Sequence, residues 1–231
     1  MMKKFGKIKW LQVLRFLVQA LFLGLCIAGI ISSKHVSEML LPTILLFGVF
    51  FCGWVCMFGT LQEWAYKLGR LLHLPVIRVP QKLQQYLQLS RYVFYFLSML
   101  GISFAVLHGT RSLGTLLKGK ELATVFLVVL ILFFVVGLFF NRPFCNYFCV
   151  GGAKRGMLSV MRVFGIRRDT SRCGNCGLCT KACPMNIDVA NTEFVRHPNC
   201  IGCLSCISAC PKGCVAYRNM PAPKQQGNKA K

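Results

Sequence analysis

The sequence predicts two parts: an all-α bundle of four transmembrane helices, arranged as two pseudo-symmetric helix hairpins, and a small C-terminal α+β domain. Three observations predict it. Of the 231 residues 55% are hydrophobic and the mean hydropathy is +0.56, too apolar for an ordinary soluble chain. The apolar residues gather in long runs ahead of Arg142, and the polar part beyond them carries two evenly spaced sets of four cysteines. A membrane domain at 1–165, a soluble domain at 166–218 and a disordered basic tail at 219–231 follow.

Lys3, Lys4, Lys7 and Lys9 precede an apolar run from Trp10 to Ile31. That run is long for the h-region of a signal peptide and no small-residue cleavage site follows, so a retained first span is expected. Gln12, Arg15 and Gln19 lie in its first half, where long side chains can reach back to the headgroups. Met39 to Phe58 is a second run of twenty residues without a charge, enough to cross a hydrocarbon core of about 30 Å. Pro42 falls in its first turn, where a missing amide hydrogen costs little. Third and fourth spans are expected between Arg91 and Arg111 and between Glu121 and Arg142.

Basic residues set the orientation. The N-terminal flank has its four lysines, and the loop after the second span has Lys67, Arg70, Arg78 and Lys82, against Lys34 in one opposite loop and Arg111, Lys118 and Lys120 in the other. Both termini are therefore expected in the cytoplasm. Trp64, Leu68, Leu71 and Leu72, and later Met157, Leu158, Met161 and Phe164, recur at helical spacing beside basic residues, as in helices lying in the interface or packing on the bundle.

The C-terminal cysteines read Cys173, Cys176, Cys179, Cys183-Pro184 and then Cys200, Cys203, Cys206, Cys210-Pro211, each a C-x2-C-x2-C-x3-C-P run. That spacing closes three thiolates around one iron-sulfur cube and sends the fourth to the other. Cys173, Cys176, Cys179 and Cys210 are the expected ligands of one [4Fe-4S] cluster, and Cys200, Cys203, Cys206 and Cys183 those of the second. Gly174, Gly177 and Gly202 let backbone amides approach the sulfurs. Paired C-x2-C units also suit zinc or disulfides, but eight cysteines and two prolines fit the two-cube pattern. The segment resembles a bacterial two-cluster ferredoxin, and Cys214 is expected to pack beside a cluster. Thiolate ligands call for a reducing compartment, which agrees with the orientation.

The apolar half carries a repeat. Phe51-Cys52-Gly53-Trp54-Val55-Cys56 and Phe144-Cys145-Asn146-Tyr147-Phe148-Cys149 both read F-C-x-aromatic-x-C, with Gly59 and Gly152 three residues on. Cysteines four apart share one face of a helix, so two hairpins about a pseudo-twofold axis can bring Cys52, Cys56, Cys145 and Cys149 to one further metal centre, with an iron-sulfur cluster the preferred occupant. Redox-active dithiols are the alternative. Cys26 reads as an apolar filler.

The net charge of +22 fits anionic lipid or acidic protein partners, and no nucleic-acid motif is present. Arg172, Lys181, Arg196, Lys212 and Arg218 would surround the clusters and attract an acidic ferredoxin or flavodoxin. His35 and His108 read as polar helix-end groups rather than haem or quinone ligands, so haem is not expected; His73 and His197 read as surface residues. With no nucleophile–base pair or phosphate loop, the chemistry is electron passage and the chain is not an enzyme alone.

Four spans, two C-x3-C pairs and the double ferredoxin motif together resemble the NapH and NosR type of membrane-bound polyferredoxins from Trp10 to Tyr217. In that family proline follows each C-x3-C, where this chain has Met57 and Val150. The resemblance implies a multi-pass protein of the prokaryotic inner membrane that passes electrons between cytoplasmic clusters and quinone or partner redox subunits of a complex. It equally admits an assembly or regulatory factor that supplies electrons to another metalloenzyme.

Overall fold

A computed structural model describes residues 2–28, 30, 36, 38–101 and 122–219. The first long helix, α1 (Met2–Ile27), contains, among the described residues, the one stretch long and apolar enough to cross a membrane, Trp10–Ile27. The second predicted span is not a single helix. It folds as α2 (Ile44–Phe47), an irregular turn at 48–50, and α3 (Phe51–Trp54). The break is built around Gly48, whose φ of 79° suits glycine and whose missing Cβ leaves room for the Arg162 side chain.

After α3 come α4 (Met57–Leu71), α5 (Gln81–Met99), α6 (Leu122–Phe139), α7 (Pro143–Tyr147) and α8 (Val150–Ser159). Helix α5 starts ten residues before the predicted third span, and the rest of that span past residue 101 lies outside the described residues. Helix α6 falls within the fourth predicted interval. Lys34, His35, His108, Arg111, Lys118, Lys120 and the tail from residue 220 also lie outside the described residues.

The repeats interlock: α4, which follows the first cysteine pair, packs on α6 ahead of the second, while α8 packs on α5 and α2. Small residues allow the first contact. A Cβ on Gly69 would collide with the Leu138 carbonyl, and one on Gly137 would lie 3.3 Å from Ala65. Gly69→Ala is therefore expected to cost about 1–3 kcal/mol through overpacking. A thermal melt in detergent reads this, and an unchanged melt would mean that the two backbones do not touch.

The polarity of the helical part is inverted. Arg15, Gln19, Gln62, Glu63, Gln84, Gln88 and Arg91 are buried, whereas Leu17, Leu21, Leu71, Phe96, Val128 and Ile131 are exposed. Arg15 and Gln19 thus turn inward instead of reaching for headgroups. Leu68, Leu71 and Leu72 form an outer stripe on α4, whose inner face is polar at Gln62 and Glu63. A continuous apolar exterior of this kind marks a surface made for an apolar environment.

The C-terminal domain is built on an antiparallel three-stranded sheet in the order β2-β1-β3, from β1 (Phe164–Arg168), β2 (Phe194–Val195) and β3 (Val215–Asn219). Two single-turn helices, α9 (Leu178–Lys181) and α10 (Ser205–Ser208), carry the third cysteine of each run. Tyr217 OH donates to the Phe47 carbonyl at 2.7 Å, tying the sheet to α2.

Candidate electron-transfer centres

Each hairpin pair spans a helix break rather than one helix face. Cys52 and Cys145 sit in the short helices α3 and α7, while Cys56 and Cys149 are the N-caps of α4 and α8, with ψ of 114° and 102°. The chain turns between the two cysteines, so the shared-face expectation is replaced by a cap geometry. The Gly152 amide donates to Cys149 Sγ at 3.3 Å, whereas the Cys56 side chain makes no cap bond in the matching place. A thiolate at a helix N-terminus is stabilised by these free amides and the helix dipole. The residue after the cap is the first helical one, where proline is favoured but not demanded. Met57 and Val150 therefore fill the family's proline position without disturbing the cap.

The four cysteines nonetheless face a shared space. Cys52, Cys56, Cys145 and Cys149 line one cavity, together with Arg91, Arg155 and Cys200. Phe58 and Phe144, their ring centroids 4.4 Å apart, close its apolar side. Two arginines hold the first cysteine of each pair by its carbonyl: Arg142 Nη1 donates to Cys52 O at 2.7 Å, and Arg91 Nη1 donates to Cys145 O at 3.2 Å. Glycine makes room for both, because a Cβ on Gly59 would lie 2.7 Å from Arg142 Nη1 and one on Gly152 3.1 Å from Arg91 Nη2. Guanidinium groups around four soft donors offset the negative charge of a thiolate-held metal.

A buried polar frame, unseen in the sequence, braces these turns. Glu63 accepts from Arg15 and, at 2.5 Å, from Arg142, and Lys67 joins at 3.2 Å. Arg15 Nε and Gln19 Nε2 both donate to the Gly53 carbonyl, at 2.9 and 3.0 Å. On the other hairpin, Gln62 Oε1 accepts from the Phe144 amide at 3.0 Å and Gln88 Nε2 donates to Asn146 Oδ1 at 3.1 Å. The available signal was the spacing of Gln84, Gln88 and Arg91 and the polar residues inside the first apolar run.

In the C-terminal domain, left-handed residues recur at matched places in the two runs: Asn175 with Gly202, Gly177 with Leu204, and Asn186 with Gly213. Both runs therefore bend the same way, and Asn175 takes the role expected of Gly174. Cys183, Cys200, Cys203 and Cys206 line one cavity. Cys179 feels the charges of Cys173 and Cys210, which groups those three; Cys176 is exposed.

Burial, then the neighbouring Cys203, pushes the Cys183 thiol up to about 12, and burial with Cys203, Cys183 and Cys200 raises Cys206. Metal binding by such thiols releases their protons, so it is coupled to pH. Cys173 is lowered by hydrogen bonds from Arg168 and the Asn175 amide. Cys214, pushed up to about 12 by burial and by its bond to Cys210, lies 3.2 Å from the Cys210 sulfur. Cys214 is buried against the Cys210 sulfur, and either atom can donate in that contact. His197 is not a surface group: half-buried, and with Arg91 and Arg162 near, it is held at about 4 and accepts from the Asn199 amide. Arg196 bonds the Val160 and Arg162 carbonyls rather than rimming a cluster.

Among the described residues no three Cys, His, Asp or Glu side chains close on a point as ligands of a single ion do.

A family described as a 4Fe-4S dicluster domain matches residues 165–211. One described as a 4Fe-4S binding domain matches twice, at 39–75 and 122–164, on the two halves of the repeat. Two [4Fe-4S] clusters are the cofactors of the C-terminal domain. An uncharacterized protein of Methanocaldococcus jannaschii is 31% identical over 90% of this chain and 87% of its own length. YccM of Escherichia coli, provisionally named an electron transport protein, is 30% identical over 80% of this chain, which spans 56% of it. The regulatory protein NosR of Stutzerimonas stutzeri is 27% identical over 71% of this chain, which spans 24% of it. No solved structure matches the chain significantly.

Proposed function

Because the chain belongs to the NosR type of membrane iron-sulfur proteins, we propose that it relays electrons between its cytoplasmic [4Fe-4S] clusters and either membrane quinone or a partner redox subunit. The observation that carries the reading is the single cavity lined by Cys52, Cys56, Cys145, Cys149 and Cys200, which joins the hairpins to the cluster domain. Iron-sulfur centres supply reversible one-electron chemistry. The chain's own residues hold and tune them. Cys173, Cys176, Cys179 and Cys210 are the ligands of one cube and Cys183, Cys200, Cys203 and Cys206 those of the other. Cys149 presents its sulfur to the Gly152 amide, Arg91 and Arg142 fix the turns, and Cys214 lies against the Cys210 sulfur.

The inverted polarity of the helices supports the remainder: a membrane domain at 1–165 with four spans in two hairpins, a cluster domain at 166–218, and both termini on the cytoplasmic side. A cleft of about 320 Å³ beside Cys214, lined by Arg167, Arg168, Arg172 and Arg218 against Asp169 and Glu193, keeps a net positive charge that suits an acidic flavodoxin or ferredoxin as electron partner.

The test uses full-length chain in proteoliposomes with clusters reduced by dithionite. Mixing with a short-chain quinone is expected to reoxidise the clusters and restore the visible absorbance lost on reduction. Clusters that stay reduced, both alone and in the native complex, would rule out direct quinone transfer. The name of the regulatory relative favours a second reading, in which the electrons serve maturation or control of another metalloenzyme. A deletion strain that loses that enzyme's activity while its quinone reduction is intact would select it.

A further inference from the structure

Both hairpins press on one short loop of the cluster domain, and that loop carries Cys200. A Cβ on Gly53, beside Cys52, would collide with the Ile201 carbonyl and lie 3.3 Å from Cys203 Cα. On the other side of Cys200, a Cβ on Gly156 of α8 would collide with the Pro198 carbonyl. Backbone therefore meets backbone at both contacts. Hydrogen bonds pin the loop between them: Trp54 Nε1 donates to Gly202 O at 3.0 Å, Gln12 Nε2 to Cys203 O at 3.2 Å, and Tyr92 OH to Asn199 Oδ1 at 2.8 Å.

Cys200 lines the hairpin cavity as well as the cavity it shares with Cys183, Cys203 and Cys206. Cys52 packs against the core of the cluster domain. Cys173, Cys176 and Cys179 line neither cavity. Cys176 is exposed, and Cys214, next to Cys210, opens on the arginine cleft.

We infer that the relay has a fixed order, with the Cys183, Cys200, Cys203, Cys206 set adjoining the hairpin thiolates, the Cys173, Cys176, Cys179, Cys210 set forming the outer port, and Gly53 and Gly156 setting the inner gap. This rests on the reading that the hairpin cysteines hold a redox metal centre. Electron tunnelling weakens steeply with distance and is best through short bonded paths. The close approach of Gly53, the residue after Cys52, to the Cys203 backbone keeps such a path short. Clusters held by the outer set, the inner set and the hairpin thiolates would supply one-electron chemistry in that order between a reduced acidic flavin or iron-sulfur protein and quinone or a partner subunit. Each hop oxidises one centre by one electron and reduces the next by one, with no bond made or broken. The partners' potentials decide whether the flow runs this way or in reverse.

The test is EPR relaxation of the hairpin centre in the fully reduced, anaerobically purified full chain. In Cys176→Ala, which removes the outer cube, the relaxation enhancement from a neighbouring spin should persist; in Cys206→Ala it should vanish. Gly53→Ala combined with Gly156→Ala should keep the native iron content and lose much of the enhancement, which decides the matter if Cys206→Ala does not fold. Enhancement lost in Cys176→Ala, or kept in the glycine double variant, overturns the order while leaving the hairpin centre in place. A native chain with no third EPR species and about eight irons overturns the hairpin centre itself.

Discussion

Glu63→Ala is expected to destabilise the helical part by about 3–5 kcal/mol, the usual cost of stranding buried charge. Glu63 is 6% exposed, and its two arginine partners, Arg15 and Arg142, are 2% and 0% exposed. Removing the carboxylate leaves two guanidinium groups in the interior with their counterion gone. The damage reaches the cysteines, because the same arginines hold the Cys52 and Gly53 carbonyls. Glu63→Gln keeps the volume and an acceptor oxygen, so it separates charge from packing and should fall between the native chain and the alanine variant. Thermal unfolding in detergent, read beside the yield of chain in membranes, checks both variants. Native-like melting of Glu63→Ala would mean that these charges are not neutralising one another inside the protein.

Stripping the iron should unfold the C-terminal domain. The core of this small domain relies on Cys179, Cys203, Cys206, Cys210 and Cys214 alongside Met185, Ile187, Val189 and Val195. Its strands are short, and β2 is only two residues long. A domain this small rarely stands on its apolar core alone, and a metal bound only by the folded state contributes its binding energy to folding. Chelation under mild oxidation should make the chain beyond Phe164 sensitive to protease while α4 and α6 stay protected. Full protection in an iron-free chain would mean that the clusters are not structural.

How much of this was legible depended on whether the information was local. The two C-x2-C-x2-C-x3-C-P runs encode ligand spacing directly, and the F-C-x-aromatic-x-C repeat is also local; the 4Fe-4S binding family matches the same two segments. The cap geometry was hidden because cysteine is not among the favoured N-cap residues, so Cys56 and Cys149 read as interior helix positions. The break at Gly48 depends on Arg162, far along the chain, filling the space a Cβ would take. The Glu63 frame was hidden for the same reason. Arg15 in an apolar run looks like a residue reaching for headgroups until Glu63, 48 residues away, is seen beside it. The inward polarity of Gln84, Gln88 and Arg91 was present as helical spacing, but composition alone does not say which face of a helix meets protein and which meets lipid.

Iron and acid-labile sulfide counted on the anaerobically purified full-length chain, beside Cys52→Ser combined with Cys145→Ser, test the central claim most directly. The native chain should carry clearly more than the about eight irons of two cubes, and the double variant should fall to about eight with both ferredoxin EPR signals retained. The same eight in both samples would leave the hairpin cysteines without a metal and contradict the account.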